Sequence, residues 1–224
     1  MKLSEQTLNV LKNFSTINQN LMIKEGKVIS TMSAMKNIVA KANIEDAFPS
    51  QVAIYDLNEF LSSISLFSNP NLEFDEQFVT INDSETKGSS LKYFYSDPSI
   101  VTTPTKTISM PSEEVVFTLT NDNLNKLKRA ASVISAPDLV LERNETGTFF
   151  TVKDKKNDTA NNYSLDIKTI TDGKFNFYFK VENLKLLDGD YKVTISSKNI
   201  SHFVSNDRKI EYWIALEPES TYEG

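Results

Sequence analysis

The chain writes one phrase twice. LSEQTLNVLKN at residues 3–13 returns as LTNDNLNKLKR at 119–129, so Leu3, Leu8, Asn9, Leu11 and Lys12 fall on Leu119, Leu124, Asn125, Leu127 and Lys128 at a constant offset of 116 (119 minus 3). In a chain of 224 residues that distance points to two halves of similar plan, and any fold must satisfy the same apolar pattern twice.

The pattern itself is helical at first. Leu8, Leu11, Phe14 and Ser15 share one side of a 3.6-residue wheel, and Leu124, Leu127, Ala130, Ala131 and Ile134 do so in the second copy. Ser4 and Thr120 stand where N-caps belong, with Glu5 and Asp122 in the first turn, so two amphipathic helices of roughly four turns are predicted. The period then changes to two. Leu21–Ile23 and Lys27–Ser30 match Leu139–Leu141 and Phe149–Val152, with Glu25-Gly26 and Thr146-Gly147 at the turns, and these read as hairpins. DLNEFLSS at 56–63 is a short helix entered from the strand VAIY, and KVENLKLL at 180–187, entered from FNFYF, is its counterpart. Leu72, Phe74, Leu91, Tyr93 and Tyr95 then correspond to Tyr191, Val193, Ile210, Tyr212 and Ile214 at an offset of 119 (191 minus 72).

The order of helix, strands, short helix and strands, performed twice, predicts an α+β fold. It has two similar β-rich domains, each with two helices on one face of an antiparallel sheet. The boundary falls within residues 96–114, where Pro98, Pro104 and Pro111 favour an extended connector, giving domains at 1–103 and 119–224 with a connector at 104–118.

Chemistry is scarce in this sequence. Without cysteine there are no disulfides, thiolate metal sites or cysteine nucleophiles. The one histidine, His202, lies in a strand, where a packed or surface role outweighs catalysis. No phosphate-cradling glycine loop, nucleophile elbow or metal-binding motif occurs, and carboxylate pairs such as Glu113-Glu114 are readily surface charges in a chain with 30 acidic residues. An enzyme is not expected, nor a cofactor or metal. The N-terminal segment has no signal-peptide core and no run approaches a membrane span, which points to a cytoplasmic protein.

Specific phrases carry a resemblance. MKLS at the N-terminus, LKNFSTIN at 11–18, VAIYDLNEFL at 52–61, GDYK at 189–192 and WIALEPEST at 213–221 are similar to the sliding clamps of T-even-type bacteriophages, the processivity factors of the phage replicative DNA polymerase. The similarity spans essentially the whole chain, with VAIYDLN its most specific piece. It implies the DNA-clamp fold: a ring of three subunits with two similar domains each, twelve helices inside and sheets outside. It also implies duplex DNA in the hole, and as partners the replicative polymerase, a clamp loader and transcription machinery, in the cytoplasm of the infected bacterial host.

A net charge of −6 looks unsuited to DNA. A ring that holds DNA by topology, however, needs only a mildly basic lining and tolerates an acidic exterior. The expected DNA-facing residues are Lys126, Lys128 and Arg129 on the second helix, matched on the first by Val10, Lys12 and Asn13, with Lys185 added and Gln6, Asn9 and Asn125 as uncharged polar groups. The same lysines are also what the solvated side of any amphipathic helix carries. Ring closure is expected where the edge around Leu91, Tyr93 and Tyr95 meets the strand around Tyr163–Ile170, with Asp166 and Lys168 making polar contacts. A partner-peptide pocket is expected at Ile100, Val101, Ile108 and Met110, although Ile108 and Met110 equally suit a seam between domains. Two other readings share the empty catalytic inventory. One is a phage structural or assembly protein of duplicated β-rich domains; the other is a carbohydrate- or peptide-binding module using Tyr163, Tyr178 and Trp213.

Overall fold

The computed structural model describes residues 1–85, 88–168, 173–207 and 209–224. The chain divides into two compact units, Met1–Lys106 and Thr107–Gly224.

The first unit opens with α1 (Glu5–Ile17), capped by Ser4, whose side chain accepts from the Thr7 N–H. Such a cap is worth about 1 kcal/mol. Asp46 reaches the same turn from a strand and accepts from both the backbone N–H and the hydroxyl of Ser4 at 2.7 and 2.8 Å. Burial pushes the Asp46 carboxyl up, yet hydrogen bonds from Thr7 and Ser4 outweigh it and hold the group below its ordinary value. Strands β1 (Leu21–Ile23), β2 (Gly26–Met32), β3 (Ile38–Phe48) and β4 (Val52–Ile54) follow, arranged β4-β1-β2-β3 with antiparallel pairing. Gly26 takes φ +108° at the turn into β2, the left-handed region that glycine enters without a Cβ penalty. The second helix, α2 (Leu57–Ser65), begins at Asp56, whose carboxylate accepts from the Asn58 and Glu59 N–H groups. β5 (Pro70–Phe74), β6 (Phe78–Asp83) and β7 (Ser90–Phe94) complete the unit as a three-stranded sheet in that order. The core joins α1, α2 and the strands through Leu11, Phe14, Ile23, Ile29, Ala42, Phe48, Leu57, Phe60 and Val79, none more than 1% exposed.

The second unit repeats the plan with different stuffing. β8 (Val115–Leu119) leads into α3 (Asn121–Ile134), capped by Thr120. A hairpin of β9 (Asp138–Asn144) and β10 (Gly147–Lys153) turns where Thr146-Gly147 was expected to turn it. β11 (Tyr163–Asp166), β12 (Lys174–Lys180) and β16 (Thr221–Glu223) extend it to a five-stranded sheet, ordered β11-β10-β9-β12-β16. β13 (Tyr191–Ser196), β14 (Ile200–Ser205) and β15 (Ile210–Ala215) form the other sheet of the unit with β8, ordered β15-β14-β13-β8. Here a chain of aromatic rings fills the core: Phe117, Phe150, Phe179, Phe203, Tyr191 and Tyr212 stand 5.6 to 6.4 Å from one to the next, mostly edge to face.

Two expectations need correction. The counterpart of α2 is not an α-helix but a single 3-10 turn at Val181–Asn183, so the second unit has one α-helix among the described residues and a ring of three chains would have nine rather than twelve. Asp56 caps α2, whereas Lys180 offers no capping side chain. Beyond the turn Leu184 and Leu186 are both buried at a spacing of two, which holds the segment extended. The last residues of the predicted connector, Val115–Thr118, are strand, since β8 pairs with β13 across Leu119↔Tyr191 to Val115↔Ile195.

Candidate functional site

The buried side of α1 is formed by Thr7, Val10, Leu11, Phe14 and Ile17. In α3 it is Leu124, Leu127 and Ala131. Thr7, Val10 and Phe14 of the first set fall on these three at an offset of 117 (124 minus 7), one residue away from the offset at which the letters match. At about 100° per residue that single step turns the wheel by more than a quarter. The exposed stripes therefore correspond as Glu5 with Asp122, Asn9 with Lys126, Lys12 with Arg129 and Thr16 with Val133, every one exposed. Each stripe runs i, i+4, i+7, i+11 along one side of its helix and lies opposite the buried set.

That register reassigns several residues. The equivalent of Arg129 is Lys12, not Asn13, and both cations sit at the centre of an outward stripe. Val10 is 2% exposed and belongs to the core. Lys128 corresponds to Leu11, a core position, and is drawn halfway in: its Nζ donates to the Leu186 carbonyl at 2.9 Å and lies 3.9 Å from Asp188. Burial pushes the Lys128 ammonium down from its ordinary value, partly offset by Asp188. Lys128 thus anchors α3 to the segment after the 3-10 turn rather than standing out from the helix. Gln6 is likewise engaged, donating to the Asn43 carbonyl and accepting from the Glu45 N–H on β3. Lys126 is exposed but makes an i, i+4 ion pair with Asp122 at 2.7 Å, which raises its pKa. Lys185 is half-buried between the buried Leu184 and Leu186.

The expected edge residues fall on two outer strands. Among the described residues β7 is the last strand of its sheet and pairs with β6 alone, and β11 is the last of its sheet and pairs with β10 alone. The Tyr95 N–H donates inward to Gln77 and the Ile167 N–H donates inward to Thr148. By the alternation of an antiparallel ladder, the N–H groups of Lys92 and Phe94 on β7, and of Ser164 and Asp166 on β11, then point away from their own sheets. Two short rows of backbone donors and acceptors are left for another strand. Leu91 is half-exposed. Tyr93 is buried, stacks edge-on against Phe60 at 5.1 Å and donates its hydroxyl to the Asp56 carbonyl, so it is a core residue of its unit. Burial and the nearby Asp75 push the Tyr95 phenol up to about 12. Sequence reasoning passed over Phe94, which is 64% exposed, packs on Phe78 at 5.5 Å and shares that ring with Lys92 at 4.4 Å. Tyr163 is half-exposed and Asp166 and Lys168 are exposed; Thr169 and Ile170 lie outside the described residues.

Of the expected pocket residues, Val101 is buried with Met22 and Ala53 inside the first unit, while Ile100 beside it is 54% exposed. Ile108 and Met110 are half-buried in the second unit. His202 stacks flat on Trp213, with centroids 4.5 Å apart, and bonds to Glu211 at 3.0 Å, so both rings are consumed in sheet packing. Among the described residues no cluster of three or more His, Asp or Glu could hold a metal ion. No described helix is long and apolar enough to cross a membrane.

Known proteins share this plan. The family described as DNA polymerase processivity factor matches residues 2–103, and the one described as gp45 sliding clamp, C terminal, matches residues 116–218. A sliding clamp from Vibrio phage KVP40 is 33% identical, the match covering 97% of this chain and 99% of that one. The sliding clamp of Enterobacteria phage T4 is 31% identical, with both chains covered in full. In three dimensions the chain is similar to A. fulgidus PCNA, solved with the C-terminal region of FEN-1 bound, at a TM-score of 0.71 over 98% of each chain and 14% identity, a likeness of fold alone.

Proposed function

This chain belongs to the phage sliding clamps, and on that footing we propose that three copies close into a ring around duplex DNA and tether the replicative polymerase to it. As a member of that family it is a processivity factor, not an enzyme. The observation that carries the reading is the paired outward stripe: two units with different cores present a cation, Lys12 on α1 and Arg129 on α3, on the exposed side opposite the buried set. Core packing does not require that coincidence, since neither side chain is buried. A surface facing phosphate six times around a ring does.

The rest of the stripe suits sliding. Asn9 offers DNA an uncharged amide of little sequence preference, the Thr16 hydroxyl donates back to the Asn13 carbonyl at 2.7 Å, and Val133 offers no hydrogen-bonding group. A channel of this composition guides DNA without gripping it, so retention comes from closure of the ring. Closure is supplied by the edges: β7 of one copy continues into β11 of the next, a head-to-tail contact that is satisfied all round only when the rotation closes. The two units, Met1–Lys106 and Thr107–Gly224, provide one edge each. Partner peptides, including those of a clamp loader and transcription machinery, take turns on apolar surface such as the exposed Ile100, in the cytoplasm of an infected bacterium.

Retention on circles tests this directly. Protein loaded on nicked circular DNA stays bound through a gel-filtration column, and cutting the circle releases it. Equal retention on circle and cut DNA refutes encirclement.

A further inference from the structure

In charge the two stripes differ at one position, Asn9 against Lys126. α1 carries Glu5 and Asn9, while α3 carries Asp122 and Lys126, whose Oδ2 and Nζ are 2.7 Å apart with both side chains well exposed. An acid in the first turn of a helix is accounted for by the helix dipole, and Glu5 supplies that for α1 as Asp122 does for α3. The dipole does not account for a lysine placed one turn on, within reach of the same carboxylate. A carboxylate oxygen offers an ammonium what a phosphate oxygen offers: negative charge and acceptor lone pairs at hydrogen-bond distance.

Resting on the reading of α3 as a DNA-facing helix, we propose that Asp122 is an internal competitor for DNA phosphate at Lys126, which sets the grip of the channel. A phosphate that approaches Lys126 meets an ammonium already bonded to its own anion and must displace Asp122 or share the lysine with it. Either way less is gained than at an unpaired cation, and the exchange of one anion for another keeps each contact short-lived. The device differs from the neighbouring Lys128, whose bond to the Leu186 carbonyl holds the fold together and is not exchanged. It also explains how the more basic of the two helices can face DNA without anchoring on it. Its cations are Lys126, Lys128 and Arg129, and Asp122 and Asp188 stand against the first two.

The test compares the wild-type protein, Asp122→Asn, Lys126→Gln and the double variant in binding a fluorescent 30-base-pair-scale duplex, followed by anisotropy across a salt series. Each phosphate contact adds about 0.9 to the slope of log affinity against log salt. Asp122→Asn is expected to steepen that slope by roughly 0.9 or more and to tighten binding by about two- to fivefold per engaged subunit, the worth of an exposed ion pair. The gain disappears in the double variant, since without Lys126 there is nothing to release. An Asp122→Asn slope equal to wild type overturns the proposal, and so does an equal gain in the Lys126→Gln background, which would mean only that a negative charge had been removed. Circular dichroism and solution mass are expected to be unchanged, which separates grip from helix stability. A wild-type ring with no salt-dependent affinity for DNA would instead overturn the parent reading of α3, a result distinct from either of those.

Discussion

Replacing Asp166 with proline removes a single outward-pointing donor from β11 and leaves its own sheet intact. The ladder bonds to β10 run through residues of the other parity, beginning at Ile167 with Thr148, so the proline takes no hydrogen bond from the folded unit. If β11 joins β7 of the next copy, each interface loses one N–H···O bond, worth about 1 kcal/mol net. A closed ring of three has three such interfaces, so taking it apart becomes easier by about 3 kcal/mol, roughly 150-fold in the equilibrium between ring and free chains. Because three chains make one ring, the concentration at half-dissociation moves by the square root of that factor, about 12-fold. Sedimentation velocity on a dilution series reads this directly. Asp166→Ala, which removes the carboxylate but keeps the N–H, is the control and shifts the midpoint far less. If the proline variant dissociates at the same concentration as wild type and the alanine variant, β11 does not close the ring and another edge must be found.

Other expectations follow from the packing. Leu11→Ala removes a side chain with no exposed surface and is expected to cost about 2–5 kcal/mol in urea unfolding, whereas Asn9→Ala on the outward stripe is expected to cost little. Asp138 is 1% exposed and bonds to Lys180 at 2.6 Å, with Lys155 at 3.9 Å; Lys180→Met leaves that carboxylate short of a partner and is expected to destabilise the second unit by about 3 kcal/mol in thermal or urea melts. Burial lowers the pKa of His202 below its ordinary value, Glu211 and Glu113 only partly offsetting it and Lys192 adding to it. A histidine whose folded pKa is lowered holds its stabilising neutral form above the unfolded value, so stability falls as pH drops from about 6.5 through the folded pKa. Trp213, the one tryptophan, reports the step by fluorescence, and His202→Gln abolishes that pH dependence.

Much of the fold could be read from the repeat, because helix caps, hairpin turns and alternating strands are written locally. Ser4, Thr120 and Asp56 each sit one residue before a helix and each caps it. β3 is harder to hear: its buried side includes Ala40 and Ala42 beside Ile38, Ile44 and Phe48, and alanines give little contrast against the polar residues between them. The exposed stripe of each helix was legible only to within one residue. Matching letters aligned the helices at 116, but burial aligns them at 117, since a helix responds to which side is apolar rather than to which residues recur. On a wheel that advances about 100° per residue, so small an error exchanges Lys12 for Asn13 and promotes Lys128 from anchor to contact. The missing fourth helix has a similar origin, because KVENLKLL carries helical spacing but no residue to cap its start.

The central claim is a closed ring of three, and the mass of the wild-type protein in solution tests it most directly. Light scattering coupled to gel filtration at micromolar concentration is expected to give three times the 25.3 kDa chain, about 76 kDa, across the peak. A uniform mass of one or two chains would contradict the account.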